Sequence, residues 1–279
     1  MSDSRNRGRF GAFGDDEAWE SPSIVIDLGG RLDLPEDFTV SPLRLAPADD
    51  LAAAARTAPA IVQLSVFVDW VGTGRRLGGD GELETSEQED LARKLGLDPD
   101  EWFEADDQSP YHPQVVLLTE WASAAGLVQR RGQKLLQTAQ GHNMHADALG
   151  AWRAAFDAML ELGVADPGGN GPPWGATVDA AIPDVIVLAN TASNPPAFNH
   201  VVERLCSQEE ELLTFDSADG GTSSDIDQAI AEDTTTVIDK LVQLGVVVRD
   251  GEVLRGTPLG TFVAVQLLKE DGFEVPLHS

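Results

Sequence analysis

The spacing of apolar and polar residues predicts an amphipathic helix at two places in the chain. Residues 113–125 and 234–244 carry apolar side chains every three or four positions, and each segment is followed by a glycine, Gly126 or Gly245. A glycine at that position can take the left-handed conformation that ends a helix. The apolar faces are Val115, Leu118, Trp121, Ala122 and Ala125 in the first segment, and Val237, Ile238, Leu241 and Leu244 in the second.

A sixteen-residue repeat follows these two helices. Residues 126–141 align without gaps to residues 245–260, and seven of the sixteen positions are identical. Each copy has the pattern of a β-hairpin, with the turn expected at Arg131-Gly132 in the first copy and at Asp250-Gly251 in the second. The order helix, hairpin, helix is therefore predicted twice.

The repeat also predicts how the helices around each hairpin begin. Thr138 and Thr257 are suited to cap the helix after each hairpin.

Two helices are expected before each predicted amphipathic helix. These are 61–71 and 86–95 in the first half, with Ser86-x-x-Glu89 as a capping box, and 199–213 and 224–231 in the second half.

This succession of elements resembles the winged-helix variant of the helix-turn-helix, over roughly residues 61–162 and 198–270. The resemblance implies a mostly α fold (α+β, with small β-wings) made of two winged-helix-like units. A Gly- and Leu-containing segment at 70–83 also resembles one found in uncharacterised proteins of high-GC Gram-positive bacteria. Neither resemblance implies a particular activity, because one fold can serve many functions.

Composition along the chain suggests where the units begin and end. The expected order is a disordered tail at 1–22, an N-terminal strand and helix extension at 23–60, a first winged-helix unit at 61–162, a linker with a short helix at 163–197 and a second winged-helix unit at 198–279. Within this order, an acidic loop is expected at 98–110. Segments without regular structure are expected at 166–175, where Gly and Pro accumulate, and at 216–224.

The charge of the chain narrows the choice of partners. Forty-seven acidic residues against nineteen basic ones give a net charge of −28, which repels phosphate backbones and anionic membranes. Three explanations stay open: solubility in concentrated salt, a GC-rich coding bias, or a basic partner. Residues 80–108 hold twelve acids and two bases, and residues 207–233 hold nine acids and no base.

The first hairpin is the main basic segment outside the N-terminal tail. Residues 113–141 contain three bases and one acid. If the chain contacts a nucleic acid or a partner there, the expected contacts are Gln114, Thr119, Ser123, Arg130, Arg131, Gln133 and Lys134. The alternative is that these bases belong to a solvated hairpin turn.

A second candidate surface is the helix after the first hairpin. Its apolar stripe consists of Leu149, Trp152, Phe156 and Met159. Such a helix can pair two copies of the chain into a homodimer, or it can simply close the core of its own unit.

Candidate chemistry is sparse. The single cysteine, Cys206, excludes a disulfide scaffold. His142 and His145 lack the spacing of a zinc protease, and the glycines at 72–78 do not lead directly into a helix as a dinucleotide loop requires. We therefore expect no catalytic residue, metal or cofactor. We also expect no membrane span, because no apolar run reaches the required length, and a cytoplasmic location.

These observations lead to three hypotheses. The first is a non-enzymatic interaction or regulatory protein whose acidic tandem units bind a protein partner, with weak or no nucleic-acid binding. The second is a DNA-binding transcriptional regulator that uses the first unit. The third is an enzyme whose site has no recognisable motif.

Overall fold

A computed structural model describes residues 32–34, 38–40, 42–79, 81–97, 111–165, 173–191, 196–213 and 223–277. The described chain is mostly helical with small antiparallel sheets of two and three strands, which confirms the predicted fold class. The predicted tail at 1–22, residues 23–31 of the predicted extension, the acidic loop at 98–110 and most of the segments at 166–175 and 216–224 lie outside the described residues.

The first half of the chain contains six helices and three strands in the described residues. They are α1 (Ala48–Thr57), α2 (Pro59–Val71), β1 (Arg75–Arg76), α3 (Thr85–Leu95), α4 (Pro113–Ala124), β2 (Val128–Arg131), β3 (Lys134–Gln137), α5 (Ala139–Asn143) and α6 (Ala148–Leu162). The strands form one antiparallel sheet in the order β1-β3-β2. The sheet packs against α2 and α4, which carry much of the buried apolar surface.

The second half of the described chain has a similar order of elements, but its sheet consists of a two-stranded hairpin. Its elements are α7 (Pro173–Ala180), α8 (Ile182–Thr191), α9 (Phe198–Leu213), α10 (Ser223–Gln243), β4 (Val247–Asp250), β5 (Val253–Gly256) and α11 (Pro258–Glu270). β4 and β5 pair antiparallel, and Ala197 forms a single bridge to Val253 on the outer side of β5.

The repeated residues build the same local structure twice. Gly126 and Gly245 both have φ of +68°, the conformation predicted for a helix end. Thr138 Oγ1 donates to the carbonyl of Gly126 (2.6 Å) and accepts from the amide of Gly141 (3.0 Å). Thr257 makes the equivalent bonds to Gly245 (2.6 Å) and Gly260 (2.9 Å). Each threonine thus joins the end of one helix to the start of the next.

The hairpin turns lie one residue later than predicted. Arg131 pairs with Lys134 and Asp250 with Val253, so the two turn residues are Gly132-Gln133 and Gly251-Glu252. The glycine therefore occupies the first turn position, where its positive φ is needed.

The close approach of the helix after each hairpin explains another repeated glycine. A Cβ at Gly141 would collide with the carbonyl of Leu127, and one at Gly260 would collide with the carbonyl of Val246. The side chain from the first helix of each unit also lies at this point: Val68 in α2 and Asn190 in α8. By this correspondence, α8 has the position in the second unit that α2 has in the first.

The packing of α8 indicates an earlier start for the second unit than the sequence suggested. The prediction assigned 163–197 to a linker and 199–213 to the first helix of the second unit. In the structure, α8 packs against α11 and both strands of the hairpin, and Ala197 extends the sheet as β1 does in the first unit. α8 and residues 196–197 thus belong to the second unit, and α9 corresponds to α3. The apolar residues of α8 are those of a core helix rather than of a linker.

The second unit also lacks a predicted break. Residues 224–231 and 234–244 were expected to form two helices, but α10 runs without interruption over twenty-one residues. Thr234, Thr235 and Thr236 stand at the expected break, and each hydroxyl donates to the carbonyl four residues earlier. The threonines are thereby accommodated within the helix, and no glycine or proline interrupts it.

Two smaller predictions about helix starts were also wrong. α3 begins at Thr85 after Glu84, which makes no side-chain cap bond, so Ser86 lies inside the helix and does not form the predicted capping box. α7 begins at Pro173, inside the stretch expected to lack regular structure. Proline is tolerated there because the first helical residues need no amide donor.

The two units pack against each other along a seam. Trp152 Nε1 of α6 donates to the carbonyl of Leu244 at the end of α10 (2.7 Å). Lys240 Nζ of α10 lies 5.6 Å from the ring centre of Trp121 in α4. The N-terminal extension also spans both units, since α1 packs on α6 and α11, and the amide of Leu43 donates to the carbonyl of Pro276 (2.8 Å).

Candidate functional site

The predicted contact residues on α4 do not form one exposed surface. Gln114 is exposed, but Thr119 is only 1% exposed and its hydroxyl donates to the carbonyl of Val115 (2.7 Å). Ser123 is half-buried, and its hydroxyl donates to the carbonyl of Thr119 (2.6 Å). Thr119 therefore cannot contact a partner, which corrects the prediction for that residue.

The predicted contact residues of the hairpin are all exposed, as hairpin residues far from the core should be. Arg130, Arg131, Gln133 and Lys134 lie on β2, the turn and the start of β3. Arg130 forms an ion pair with Glu82 (3.1 Å), which ties the hairpin to the segment that precedes α3. Arg130 is thus partly occupied within the chain.

The sheet brings a further base to the hairpin that sequence reasoning missed. Arg76 on β1 is directly opposite Lys134 on β3, and Lys134 is directly opposite Arg131 on β2. Residues directly opposite each other point to the same face of a sheet. Arg76, Lys134 and Arg131 therefore form one exposed row, which we call the basic row. Only the pairing of β1 with β3 reveals it, and the short β1 gave no clear strand signal.

The basic row is distinct from the neighbouring Arg75. The next row along the sheet contains Arg75, buried Leu135 and Arg130. Arg75 lies over the ring of Trp70 (4.2 Å) and donates to the carbonyl of the same residue (2.7 Å), so it serves the packing of α2. In the basic row, Arg76 has one loose ion pair, with Glu84 at 3.9 Å.

The second unit has a different set of side chains in the corresponding row. Ala197, Val253 and Asp250 occupy the positions of Arg76, Lys134 and Arg131. Asp250 forms an ion pair with Arg255 (2.9 Å), a residue on the same hairpin. The second hairpin is thus neutralised within itself.

Neither helix before a hairpin carries a fully exposed base. α4 contains no Lys or Arg, and the charged side chain on it is Glu120. The single base of α10 is Lys240, whose pKa is lowered by burial at the seam. The exposed positions described on α10 include Glu232 and Asp239. Both helices therefore offer neutral or acidic surfaces.

The predicted association helix is α6, and its stripe is occupied within the chain. Trp152 and Phe156 are each 1% exposed, Met159 is 4% exposed and Leu149 is partly buried against the core. α6 packs on α1, α2 and α4, and Trp152 reaches the second unit through its bond to Leu244. These side chains hold the two units together, so a second copy of the chain cannot reach them in this structure.

A cavity of about 200 Å³ lies between α8 and α9. Its walls are mostly apolar, with Asp184 and Arg204 at its edge. Burial raises the pKa of Asp184 to about 6, while the amide of Asp33, which donates to its Oδ1 (3.1 Å), acts in the opposite direction. Arg204 forms an ion pair with Asp33 (3.1 Å), which brings the N-terminal extension to this edge.

His145 and Asp147, which lie just before α6, both have partners within the chain. His145 Nε2 lies 3.2 Å from Asp69 Oδ2, and Asp147 caps α6 by accepting from the amide of Gly150 (2.9 Å). Within the described ranges, no three His, Cys, Asp or Glu side chains are grouped so that they could hold a metal ion.

Comparisons with protein-family models, with curated proteins and with solved structures found no match. In the part of the chain that the structure describes, no single helix has the length and apolarity needed to cross a membrane. α1 and α2 meet those criteria only as a pair, bent by 67°.

Proposed function

We propose that this chain is a non-enzymatic interaction protein, in which two winged-helix-like units bind a protein partner. The observation that carries the proposal is the surface of α4 and α10, the helices that would enter the major groove in a DNA-bound winged helix. α4 has no base, and the one base of α10 lies against Trp121. The proposal keeps the cytoplasmic location expected from the sequence.

The packing of the two units supports this function. Buried α6 and the bond between Trp152 and Leu244 hold the units in one arrangement, so their outer surfaces can be recognised together. On α10, Glu232 and Asp239 are exposed and lie two turns apart on one face of the helix. Such a surface suits a partner with basic side chains, because complementary charge steers association.

A DNA-binding regulator is the second candidate, and the basic row favours it. Arg76, Arg131 and Lys134 could contact phosphates as a wing does. Three cations provide little affinity beside the repulsion from the acidic remainder of the chain. Binding of this kind would be weak and strongly dependent on salt.

Cross-linking in the native cell, combined with two double variants, tests the proposal. We expect a specific cross-linked protein whose yield falls for Glu232→Gln with Asp239→Asn, because these changes remove two exposed charges of α10. The matched control, Glu89→Gln with Glu274→Gln, removes two exposed acids elsewhere and should leave the yield unchanged.

A mobility-shift experiment with duplex DNA at about 50 mM salt separates the two candidates, because low salt maximises attraction to phosphate. We expect no shift at micromolar protein concentrations. A tight shift that disappears when Arg76, Arg131 and Lys134 are replaced would reject protein binding in favour of the DNA-binding regulator.

A further inference from the structure

Three exposed bases stand side by side on one sheet of an acidic protein. Neighbouring strands lie about 5 Å apart, so the basic row places three cationic side chains across roughly 10 Å. Neither Arg131 nor Lys134 forms an ion pair with another residue in the described parts of the chain, and Arg76 has its loose contact with Glu84.

The basic row is not needed for the fold. Like charges directly opposite each other destabilise a pair of strands. The second unit forms the same hairpin with Ala197, Val253 and Asp250 in the corresponding positions. The first unit therefore carries a repulsive arrangement that the backbone does not require, and a bound anionic group would relieve it.

The surroundings of the row limit the size of its ligand. Glu84 lies beside Arg76, so an acidic side chain stands at the edge of the row. One row further on the same face, half-buried Leu136 lies over Gly74, whose missing side chain leaves room for it. The face thus offers three cations next to an apolar side chain.

We propose that the basic row binds a short acidic segment of a protein partner, with two or three carboxylates on the bases and an apolar side chain against Leu136. This inference rests on the proposed function, since it takes the partner to be a protein. A short peptide places its few charges within the row. A nucleic acid continues past the row onto acidic surface, where its phosphates are repelled within the screening length of about 8 Å.

Fluorescence anisotropy tests the inference with the full chain and three labelled probes at about 25 mM salt. The probes are a flexible peptide with three glutamates and one leucine, the same peptide with glutamines, and a single-stranded oligonucleotide of ten nucleotides. We expect the glutamate peptide to bind most tightly, and more weakly as salt rises. Replacing Arg76, Arg131 and Lys134 by Gln should lower its affinity about tenfold, because the exposed ion pairs with the peptide are lost and each contributes modestly.

The matched control replaces Arg56, Arg255 and Lys269 by Gln, which removes three exposed bases from other surfaces. Its affinity should stay within about twofold of the unmodified chain. An equal loss in both triple variants, or tighter binding of the oligonucleotide or the glutamine peptide, overturns the inference. Failure of the glutamate peptide to bind at all overturns it as well, while the cross-linking result for the proposed function still stands.

A single substitution separates binding from folding. Lys134→Glu places an acid between Arg76 and Arg131, so it should abolish peptide binding and raise the melting temperature, since two repulsions become attractions. A lower melting temperature would show that the row supports the fold and would contradict the inference.

Discussion

The two hairpins share a backbone and differ in one row of side chains. In the first unit the row is Arg76, Lys134 and Arg131; in the second unit its positions hold Ala197, Val253 and Asp250. The glycines and threonines that shape both hairpins are the same residue types in both units. The comparison teaches that the repeated positions maintain the fold. The side chains of this row can differ, and they give the two hairpins surfaces of different charge.

One repeated residue is an arginine, and its role differs between the units. Arg130 forms an ion pair with Glu82 before α3. Arg249 lies over the ring of Phe198, the first residue of α9, at 4.3 Å. In both units this arginine connects the hairpin to the start of the second helix, by charge in one case and by cation–π contact in the other.

The largest expected effect tests whether the helix after each hairpin approaches the backbone equally closely in both units. Gly141→Ala and Gly260→Ala should each lower the free energy of unfolding by about 3 kcal/mol, because the new methyl group collides with a backbone carbonyl. Urea denaturation measures the change. Gly79→Ala, at a position with open space around it, is the control and should change little. A small effect in only one unit would show that the helix and the carbonyl are less close in that unit than in the other.

A smaller effect should distinguish the units at the same place. The amide of Asn190 accepts from Thr257 N (2.9 Å) and donates to the carbonyl of Val246 (3.3 Å). In the first unit Thr138 N donates directly to the carbonyl of Leu127 (3.1 Å) beside Val68. Asn190→Val should therefore cost about 2 kcal/mol, since the amide of Thr257 loses its partner and the carbonyl of Val246 keeps only its bond from Thr257 Oγ1.

Denaturation of Asn190→Val, with hydrogen exchange at the amide of Thr257, measures this second effect. The amide should exchange faster in the variant, while that of Thr138 stays protected. Unchanged protection at Thr257 would mean that its amide bonds elsewhere, and the difference between the units would be smaller than described.

The smallest effect concerns a charge found only in the second unit. Counting back from Asn190 and Val68, Asp184 in α8 corresponds to Val62 in α2. Burial raises the pKa of Asp184 in the folded state to about 6, above its value in the unfolded chain. The folded state therefore holds the proton more tightly, and the contribution of this group to stability decreases as the pH rises from about 4 to 6.

Asp184→Asn stays neutral and keeps an oxygen to accept from Asp33. We expect the variant to be more stable than the unmodified chain by about 1 kcal/mol at pH 7, after allowance for the solvent that reaches this half-buried carboxyl. The difference should vanish near pH 4. Asp239→Asn, at an exposed carboxyl, is the control. A difference that is independent of pH would contradict the assignment.

Local signals in the sequence predicted much of the fold. Gly126 and Gly245 end their helices, and Thr138 and Thr257 cap the next ones by bonds to an amide three residues on, so these roles could be predicted without tertiary contacts. The hairpins followed from the same short-range chemistry, with an error of one residue in the turn. Among the candidate site residues, those on the hairpin are exposed as a turn requires.

Features set by packing could not be predicted in this way. α8 was assigned to a linker because apolar residues alone do not say which hairpin a helix packs on. The division of α10 was wrong because its threonines bond within the helix. Thr119 is polar yet buried, and Arg76 joins the basic row through a strand of two residues. The position of α8, the burial of Thr119 and the place of Arg76 depend on contacts between distant parts of the chain, whereas the continuity of α10 rests on local bonds.

The contacts between the two ends of the described chain have a consequence for synthesis. The amide of Leu43 bonds to the carbonyl of Pro276, and Phe38 packs edge-on against Phe273. These partners lie more than two hundred residues apart, and contacts of such high separation slow folding. On the ribosome, residues 38–43 are made early and must wait for residues 273–276 to emerge. During that interval α1 lacks α11, and the part of its surface that α11 covers stays exposed.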